Sequence, residues 1–226
     1  PKTLGFADKP TAEQSYEKMR TGVMEEVKKM FRPEFINRVD ELIVFHALDE
    51  EHIRAIAELM LSQVAERLKD ATRHCYTSKG RHESVAEHCW MMTLMAFMLK
   101  EEFPEADMGK VIRMCLIHDL GEAFTGDIPT FEKTDGARVT EDELYAAWVA
   151  SFPQPQQASW QELLAEMKEQ QTPEAKLYKT LDRIEALISH NESDLDTWLP
   201  LEYDLQLTYG TEEVQFSQYT RELKAC

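Results

Sequence analysis

Two histidines and two aspartates of this chain are of the types that bind a divalent metal ion: His88, the adjacent pair His118 and Asp119, and Asp182. Two imidazoles and two carboxylates form a borderline-hard ligand set, whereas a closed structural zinc site favours thiolates. Such a set suits one divalent cation that keeps coordination positions open for water and a phosphate. A bound cation lowers the pKa of water towards neutrality, so the set is suited to hydrolytic chemistry on a phosphate.

The adjacent pair His118 and Asp119 is the most specific of these signals. It lies in the apolar stretch 111–122, where packing alone would place aliphatic side chains. A single histidine on an apolar face is more often a structural core residue, and Asp182 alone could be a simple hydrogen-bond acceptor. No single helix presents four convergent ligands, so the four side chains must come from separate helices.

Hydrophobic periodicity and capping residues predict that helices carry these side chains. The S-x-x-E pattern at 84–87 is a capping box, and Thr172 followed by Pro173 is a typical helix start. The predicted helices cover residues 12–30, 49–70, 84–100, 108–124, 141–150, 159–170, 172–191, 194–207 and 212–223. A β-like run at 42–45 and a polar loop at 77–81 lie between them, so we expect an all-α fold over most of the chain.

The chain is acidic, and the excess negative charge is concentrated after residue 70. The net charge is −17; residues 1–70 carry 11 Lys and Arg against 14 Asp and Glu, a net −3, which leaves −14 for residues 71–226. Such a chain repels polynucleotide phosphate, so we expect no nucleic-acid partner. A small phosphorylated ligand needs local neutralisation by a metal ion and a few arginines or lysines.

The length of 226 residues suits one large domain or one domain with a fragment, and the first residue, Pro1, indicates a trimmed chain or a fragment. No apolar run approaches the roughly 20 residues of a membrane span, and from this sequence we expect no signal peptide. Cys75, Cys89, Cys115 and Cys226 lack CxxC spacing and are expected to be reduced. We therefore expect a cytoplasmic protein that makes no membrane contact.

From about residue 69 onward the chain resembles the HD-domain metal-dependent phosphohydrolases, and within them the 5′-deoxynucleotidase group. The resemblance rests on four motifs in the family's order: ESVAEH (83–88), IHDLGE (117–122), TGDIP (125–129) and LD (181–182). It implies an all-α HD-domain helical fold for residues 71–226. It also implies that the four candidate ligands hold one divalent cation, which could be Co²⁺, Mn²⁺, Mg²⁺ or Zn²⁺.

The resemblance further implies catalytic roles beside the metal ion. Glu122, together with Asp119, is expected to be catalytic, because the glutamate at this position of the family assists proton transfer. The alternative for Glu122 is a surface glutamate near a helix end. Asp127 matches the family residue that contacts the sugar hydroxyl of the substrate, and its alternative role is to form the turn.

The phosphate-binding residue implied by the resemblance is Arg73, whose guanidinium is suited to bidentate phosphate binding. Arg81 and Lys79 are the alternatives. His74 stands where the family often has a tryptophan, which leaves base stacking and base selectivity open.

Residues 1–70 resemble a different family, the last AAA+ module of ClpC-type Clp ATPases, through MEEV (24–27), FRPEFINRVDE (31–41) and VFH (44–46). In that family Arg38 corresponds to the arginine finger that reaches a neighbour's nucleotide. The chain has no GxxxxGK[ST] phosphate-binding loop, so the resemblance implies a small N-terminal α(/β) fragment without an ATPase site. We expect this fragment to supply packing helices.

Together these resemblances imply a phosphohydrolase that removes phosphate from a small phosphomonoester, with a (deoxy)nucleoside 5′-monophosphate as the expected substrate. The close alternative is another small phosphorylated substrate. The alternative of a different class is a non-catalytic module that docks to Clp ATPases through residues 1–70. We also expect the protein to form a homodimer.

Overall fold

The computed structural model describes residues 12–45 and 48–225, and most of these residues are helical, which confirms the all-α fold class. The α-helices of these ranges are α1 (Ala12–Met30), α2 (Pro33–Ile36), α3 (Glu50–Asp70), α4 (Val85–Met98), α5 (Met108–Ile117), α6 (Glu122–Thr125), α7 (Asp135–Ala150), α8 (Gln156–Glu169), α9 (Pro173–Glu192), α10 (Pro200–Thr208) and α11 (Gln218–Ala225). Short 3₁₀ turns cover Lys100–Glu102, Leu195–Thr197 and Glu213–Phe216. No helix in the described ranges is both long and apolar enough to cross a lipid bilayer.

A small β-hairpin is the exception to the helical fold among the described residues. Its strands β1 (Thr72–Tyr76) and β2 (His82–Ser84) pair in antiparallel fashion and flank the loop that the sequence predicted at 77–81. The loop is closed by a bond from Thr77 N to Arg81 O of 2.8 Å. The β-like run at 42–45, by contrast, is not a strand.

The chain divides into two compact units, one that ends at Ile53 and one that begins at Arg54. In the first unit, the hydroxyl of Tyr16 on α1 donates to the carbonyl of Val44 over 2.7 Å. Several large apolar side chains of this unit are exposed, among them Phe35 and Phe45, at 55% and 83%. The division between residues 70 and 71 that the sequence suggested stays a prediction.

The core of the second unit lies between α4, α5 and α9, which pack against one another. Met92 of α4, Met114 of α5 and Leu181 of α9 are fully buried there. Each large apolar side chain buried in this way contributes about 1.5–3 kcal/mol to folding. These three helices also carry the candidate metal ligands, so the core that stabilises the unit holds the site in place.

The second half of α3 covers this core. Val64 and Leu68 are buried in it, whereas Ile56 and Leu59, earlier in α3, are exposed. Asp49 starts the helix as the sequence predicted, because its Oδ1 accepts the backbone N–H of His52 at 2.9 Å.

Side-chain caps fix the starts of the helices that carry the site. Ser84 and Glu87 form the predicted capping box at the start of α4. Thr172 accepts from the backbone of Ala175, and Pro173 then begins α9. The C-terminal helices α10 and α11 begin six residues later than predicted. Pro200 occupies the first position of α10, where its missing N–H costs nothing.

The predicted helix over 108–124 is broken at the metal-ligand pair, which corrects that part of the prediction. Helix α5 ends at Ile117, and α6 begins only at Glu122. Between them the backbone makes tighter bonds of the i+3 type, from Leu120 N to Ile117 O at 3.3 Å and from Glu122 N to Asp119 O at 3.0 Å. The pair at 118–119 therefore lies at the end of a helix and not inside one.

Candidate metal centre

The structure brings the four candidate ligands together at one point between three helices. His88 lies one turn into α4, His118 and Asp119 follow the end of α5, and Asp182 lies in the middle of α9. Both imidazoles are almost fully buried, with side chains 1% and 4% exposed. Two buried histidines facing two carboxylates are not explained by core packing alone.

The distances between the ligand atoms suit a single cation. His88 Nε2 lies 3.3 Å from Asp182 Oδ1 and 3.7 Å from Asp119 Oδ2. His118 Nε2 lies 3.0 Å from Asp119 Oδ2 and 3.8 Å from Asp182 Oδ1. Ligands bound at about 2.1 Å to one ion lie about 3.0–3.4 Å from each other, so these separations are of the right size.

His118 has the hydrogen-bonding pattern of a metal ligand. Its Nδ1 lies 2.9 Å from the carbonyl oxygen of Cys115 and donates to it, which leaves the lone pair on Nε2. That Nε2 is buried, and within the described ranges it makes no hydrogen bond of acceptable geometry, although Asp119 is close. A cation among these residues would satisfy the nitrogen, so the donor set fits a metal ion.

Glu185 orients the other imidazole, and the sequence analysis missed it. Its Oε2 contacts His88 Nδ1 and lies 3.1 Å from Arg73 NH1. Burial raises the pKa of Glu185, but its bonds to His88 and the charge of Arg73 outweigh burial and lower it. Glu185 is therefore ionised, and a carboxylate behind a histidine is the usual arrangement that fixes a metal-binding imidazole. The signal in the sequence that could have identified Glu185 was its position three residues after Asp182.

Lys179 has a similar relation to Asp182 and was also missed. Its Nζ donates to Asp182 Oδ2 over 2.7 Å, which leaves Oδ1 towards the two histidines. Burial raises the pKa of Asp182, but Lys179 and the histidines outweigh burial and hold it well below the usual range. The signal in the sequence was the spacing of three residues between lysine and aspartate, which places both on one helix face.

Glu122 is buried at the start of α6, so the alternative of a surface glutamate is wrong. Among the described residues, the convergent group at this site consists of His88, His118 and Asp119; Asp182 contacts both histidines, and no such contact is seen for Glu122. Burial raises the pKa of Glu122 to about 9, and the negative charges of Asp119 and Asp127 add to the effect. The nearest cation is Lys133, whose Nζ lies 3.5 Å away. A carboxyl group that holds its proton near neutral pH is suited to proton transfer.

Arg73 and Asp127 line one pocket together with His74, Phe131 and Tyr209. Arg73 NH1 also donates to Glu83 Oε2 at 2.9 Å, so its guanidinium bonds two buried glutamates. The alternatives for phosphate binding lie elsewhere: Arg81 pairs with Glu87 at the exposed start of α4. Whether Arg73 and Asp127 bind a substrate stays a prediction.

Residues 65–224 match the family model of the HD domain, and the chain therefore belongs to the HD domain family. Among solved structures, the chain is similar to the predicted metal-dependent phosphohydrolase of Magnetospirillum magnetotacticum MS-1. The two are 27% identical, with a TM-score of 0.64, and the match covers 78% of this chain and 94% of the other. The resemblance to the HD-domain family is confirmed.

A second likeness is to the Clp proteins. The chain is 45% identical to the chaperone protein ClpB of Oceanobacillus iheyensis over 85 residues, 38% of this chain. It is 43% identical to the negative regulator of genetic competence ClpC/MecB of Bacillus subtilis over 74 residues, 33% of this chain. The chain spans 10% and 9% of the lengths of these two relatives. The Clp resemblance is thereby confirmed for about a third of the chain.

Proposed function

We propose that this protein is a metal-dependent phosphohydrolase that removes phosphate from a (deoxy)nucleoside 5′-monophosphate. Membership of the HD domain family supports the reaction class, as does the likeness to a protein named as a metal-dependent phosphohydrolase. The observation that carries the proposal is the convergence of His88, His118 and Asp119, with Asp182 Oδ1 at 3.3 Å and 3.8 Å from the two histidines and the Nε2 of His118 buried and unpaired within the described ranges.

In this proposal the four convergent residues hold one divalent cation, and Glu185 and Lys179 fix two of them. When bound, the cation supplies Lewis-acid activation of water and of the phosphate. Asp119 contributes both to ligation and to the negative field that raises the pKa of Glu122. Glu122 holds a proton that it can give to, or take from, the reacting groups.

Substrate recognition is assigned in this proposal to the pocket lined by Arg73 and Asp127. The guanidinium of Arg73 would contact the phosphate, and the carboxyl of Asp127 would accept a sugar hydroxyl. Phe131 offers an aromatic face to a base in the same pocket. A different small phosphomonoester would use the same phosphate contact without the sugar and base contacts, which makes it the close alternative.

The test is a panel of nucleoside and sugar monophosphates, assayed after chelation and readdition of Co²⁺, Mn²⁺, Mg²⁺ or Zn²⁺. We expect phosphate release only with a cation, and faster release from nucleoside monophosphates than from sugar phosphates. Asp119→Ala should lose bound metal and activity together. Stoichiometric metal in Asp119→Ala, measured by elemental analysis, would show that the ligand assignment is wrong.

A second candidate function is docking to Clp ATPases, and the sequence identity to ClpB and ClpC supports it. The exposed aromatic side chains Phe31, Phe35 and Phe45 of the first unit offer apolar contact area. A pull-down with a purified Clp ATPase, repeated with Phe35→Ser, tests this candidate. Recovery that is equal for both proteins, or absent for both, counts against it.

A further inference from the structure

A second cluster of metal-binding side chains lies in the pocket of Arg73, outside the centre described above. It consists of His74 on β1, His190 near the end of α9 and Glu202 in the first turn of α10. Their ligand atoms all lie within 4.8 Å of one another. The sequence analysis noted only that His74 replaces a tryptophan, so the proposed function uses none of the three side chains.

The three side chains are close but incompletely hydrogen-bonded. His74 Nε2 and Glu202 Oε1 are 2.6 Å apart, whereas His190 Nε2 lies 3.5 Å from Glu202 Oε2. The side chain of His190 is only 10% exposed, and its Nε2 has no hydrogen-bond partner in the part of the chain that the structure describes. A buried imidazole nitrogen that lies beside a carboxylate without a hydrogen bond is unsatisfied, and a cation between the two groups would satisfy it.

The same pattern marks the first metal centre. In the described ranges, three buried side-chain polar atoms lack a partner: Thr77 Oγ1, His118 Nε2 and His190 Nε2. Both histidine nitrogens face a carboxylate at the meeting point of separate elements. The two clusters thus share burial, residue types and an unsatisfied nitrogen.

Neighbouring groups hold the second cluster in position before any ion binds. The ring of Trp198 packs on that of His190 with centroids 4.2 Å apart, and Phe131 meets His74 edge-on at 5.3 Å. The backbone N–H of Leu199 donates to Glu202 Oε2 at 2.6 Å. Burial lowers the pKa of His190, which keeps the imidazole neutral and its lone pair available.

We propose that His74, His190 and Glu202 form a second divalent-cation site, with Zn²⁺ as the ion that the donor set fits best. Two imidazoles and one carboxylate, with one position left open, are a common zinc set. All three side chains line the pocket, so a cation held by them would be in contact with the pocket. A cation there would link β1 to α9 and α10, and it would add positive charge to the pocket beside that of Arg73. The proposal rests on this cluster and not on the phosphatase activity.

The test counts zinc in the full chain after chelation, reloading with Zn²⁺ and dialysis, by elemental analysis. We expect two zinc ions in the wild type and one in both His190→Asn and Glu202→Gln. The glutamine can still accept the N–H of Leu199, so α10 keeps its cap. His52→Asn is the control, because it removes an exposed histidine on α3 that is not part of the cluster; this variant should keep both ions. Unchanged zinc content in folded His190→Asn and Glu202→Gln would overturn the proposal.

A second arm isolates the new site from the first. His118→Ala should retain one zinc ion, and His118→Ala combined with His190→Asn should retain none. If the variants do not fold, anomalous diffraction at the zinc edge from wild-type crystals decides, and a peak among the three side chains is expected. The absence of that peak shows a hydrogen-bonded cluster only and overturns the proposal. Because zinc counting does not depend on turnover, an inactive protein with two zinc ions contradicts only the proposed function.

Discussion

At the scale of single residues, both imidazoles of the metal centre use Nδ1 for a protein acceptor and present Nε2 to the site. His88 contacts the carboxylate of Glu185, and His118 donates to the carbonyl of Cys115. The hydrogen bond at Nδ1 fixes the tautomer of each imidazole, so the lone pair of Nε2 stays directed towards the site. The orientation of both imidazoles is therefore fixed by the folded chain itself, and the proposed cation would need no rearrangement of them.

Glu185→Gln tests this arrangement at the residue that orients His88. The amide keeps the shape but loses the negative charge behind the imidazole, so we expect metal affinity to fall by roughly 10- to 100-fold. The measurement is competition with a chelator of known affinity. Glu192→Gln, an exposed change at the end of the same helix, is the matched control and should bind metal as the wild type does. Equal metal affinities for the two variants would show that Glu185 does not contribute to metal binding.

Glu122→Gln separates metal binding from catalysis. It keeps the size of the side chain and removes its ability to exchange a proton, so we expect kcat to fall by about 10²–10⁴-fold. Metal content and KM should stay close to the wild-type values, and one limb of the pH–rate profile should move or disappear. Loss of the metal would mean that Glu122 is a ligand. An intact kcat would remove the proton-transfer role.

The same variant also tests how the thermal stability of the metal-free protein depends on pH. Because burial raises the pKa of Glu122 from the ordinary range of a glutamate to about 9 on folding, the folded state binds this proton more tightly. Its contribution to stability is complete below the unfolded pKa and is lost as pH rises towards 9. In a chelator, Glu122→Gln should therefore gain Tm relative to the wild type between about pH 5 and pH 9. A difference in Tm that is constant over this range would contradict the shifted pKa.

The sequence predicted the candidate metal ligands better than it predicted the residues that orient them. The motif residues His88, His118, Asp119 and Asp182 do come together, although their role as ligands stays a proposal. Glu185 was missed because nothing in the sequence places it against an imidazole on α4, 97 positions earlier in the chain. Contacts of this kind depend on how α4 and α9 pack, which local patterns do not encode.

At the scale of secondary-structure elements, local sequence patterns predicted the helix starts that are capped by residues of the same turn. They did not predict the helix end that contacts a residue distant in the sequence. The starts of α4 and α9 follow from Ser84 and Thr172, which cap their own first turns. The end of α5 involves Tyr145 of α7, whose hydroxyl donates to the carbonyl of Ile117 at 2.8 Å. That bond satisfies a carbonyl at the end of the helix, and a pattern limited to 108–124 cannot show it. The short strands of the β-hairpin were missed for the same reason, since their polar residues are paired only across the loop.

Gly210 tests how closely the C-terminal elements pack on α9. It has φ of +69°, and a Cβ added there would lie 2.7 Å from Arg183 Cβ. Gly80 has φ of +77° with nothing within 4 Å, so it is the matched control. Both alanine variants should lose about 1–2 kcal/mol to the left-handed backbone. Gly210→Ala should lose about 1–3 kcal/mol more through overpacking. Urea unfolding in a chelator measures both losses, and equal losses would contradict the close approach.

At the scale of the whole molecule, three cations of the acidic second part of the chain are paired with carboxylates close to the centre. Arg73 pairs with two glutamates, Lys179 with Asp182, and Lys133 with Glu141. These cations therefore offset buried carboxylates and leave little surplus for an incoming phosphate. In the proposed function, attraction of an anionic substrate would then depend on the divalent cation.

Truncation tests which part of the N-terminal region the HD unit needs. A chain that begins at Asp49 keeps all of α3, so we expect normal metal content and phosphatase turnover within about threefold, a barrier change below about 1 kcal/mol. A chain that begins at Ala71 loses Val64 and Leu68 from the core. Core truncations of this kind cost about 2–5 kcal/mol for each large side chain, so we expect loss of cooperative thermal unfolding.

Val64→Ala combined with Leu68→Ala in the full chain is the control that separates core contacts from chain length. It should lower Tm strongly while leaving the chain's length and the Clp-like motifs between residues 24 and 46 intact. If the chain that begins at Ala71 unfolds cooperatively with the Tm of the wild type, α3 is dispensable and the HD core is complete without it. If the chain that begins at Asp49 loses activity while remaining folded, residues before α3 take part in the function, and the Clp-like segment is more than a structural addition.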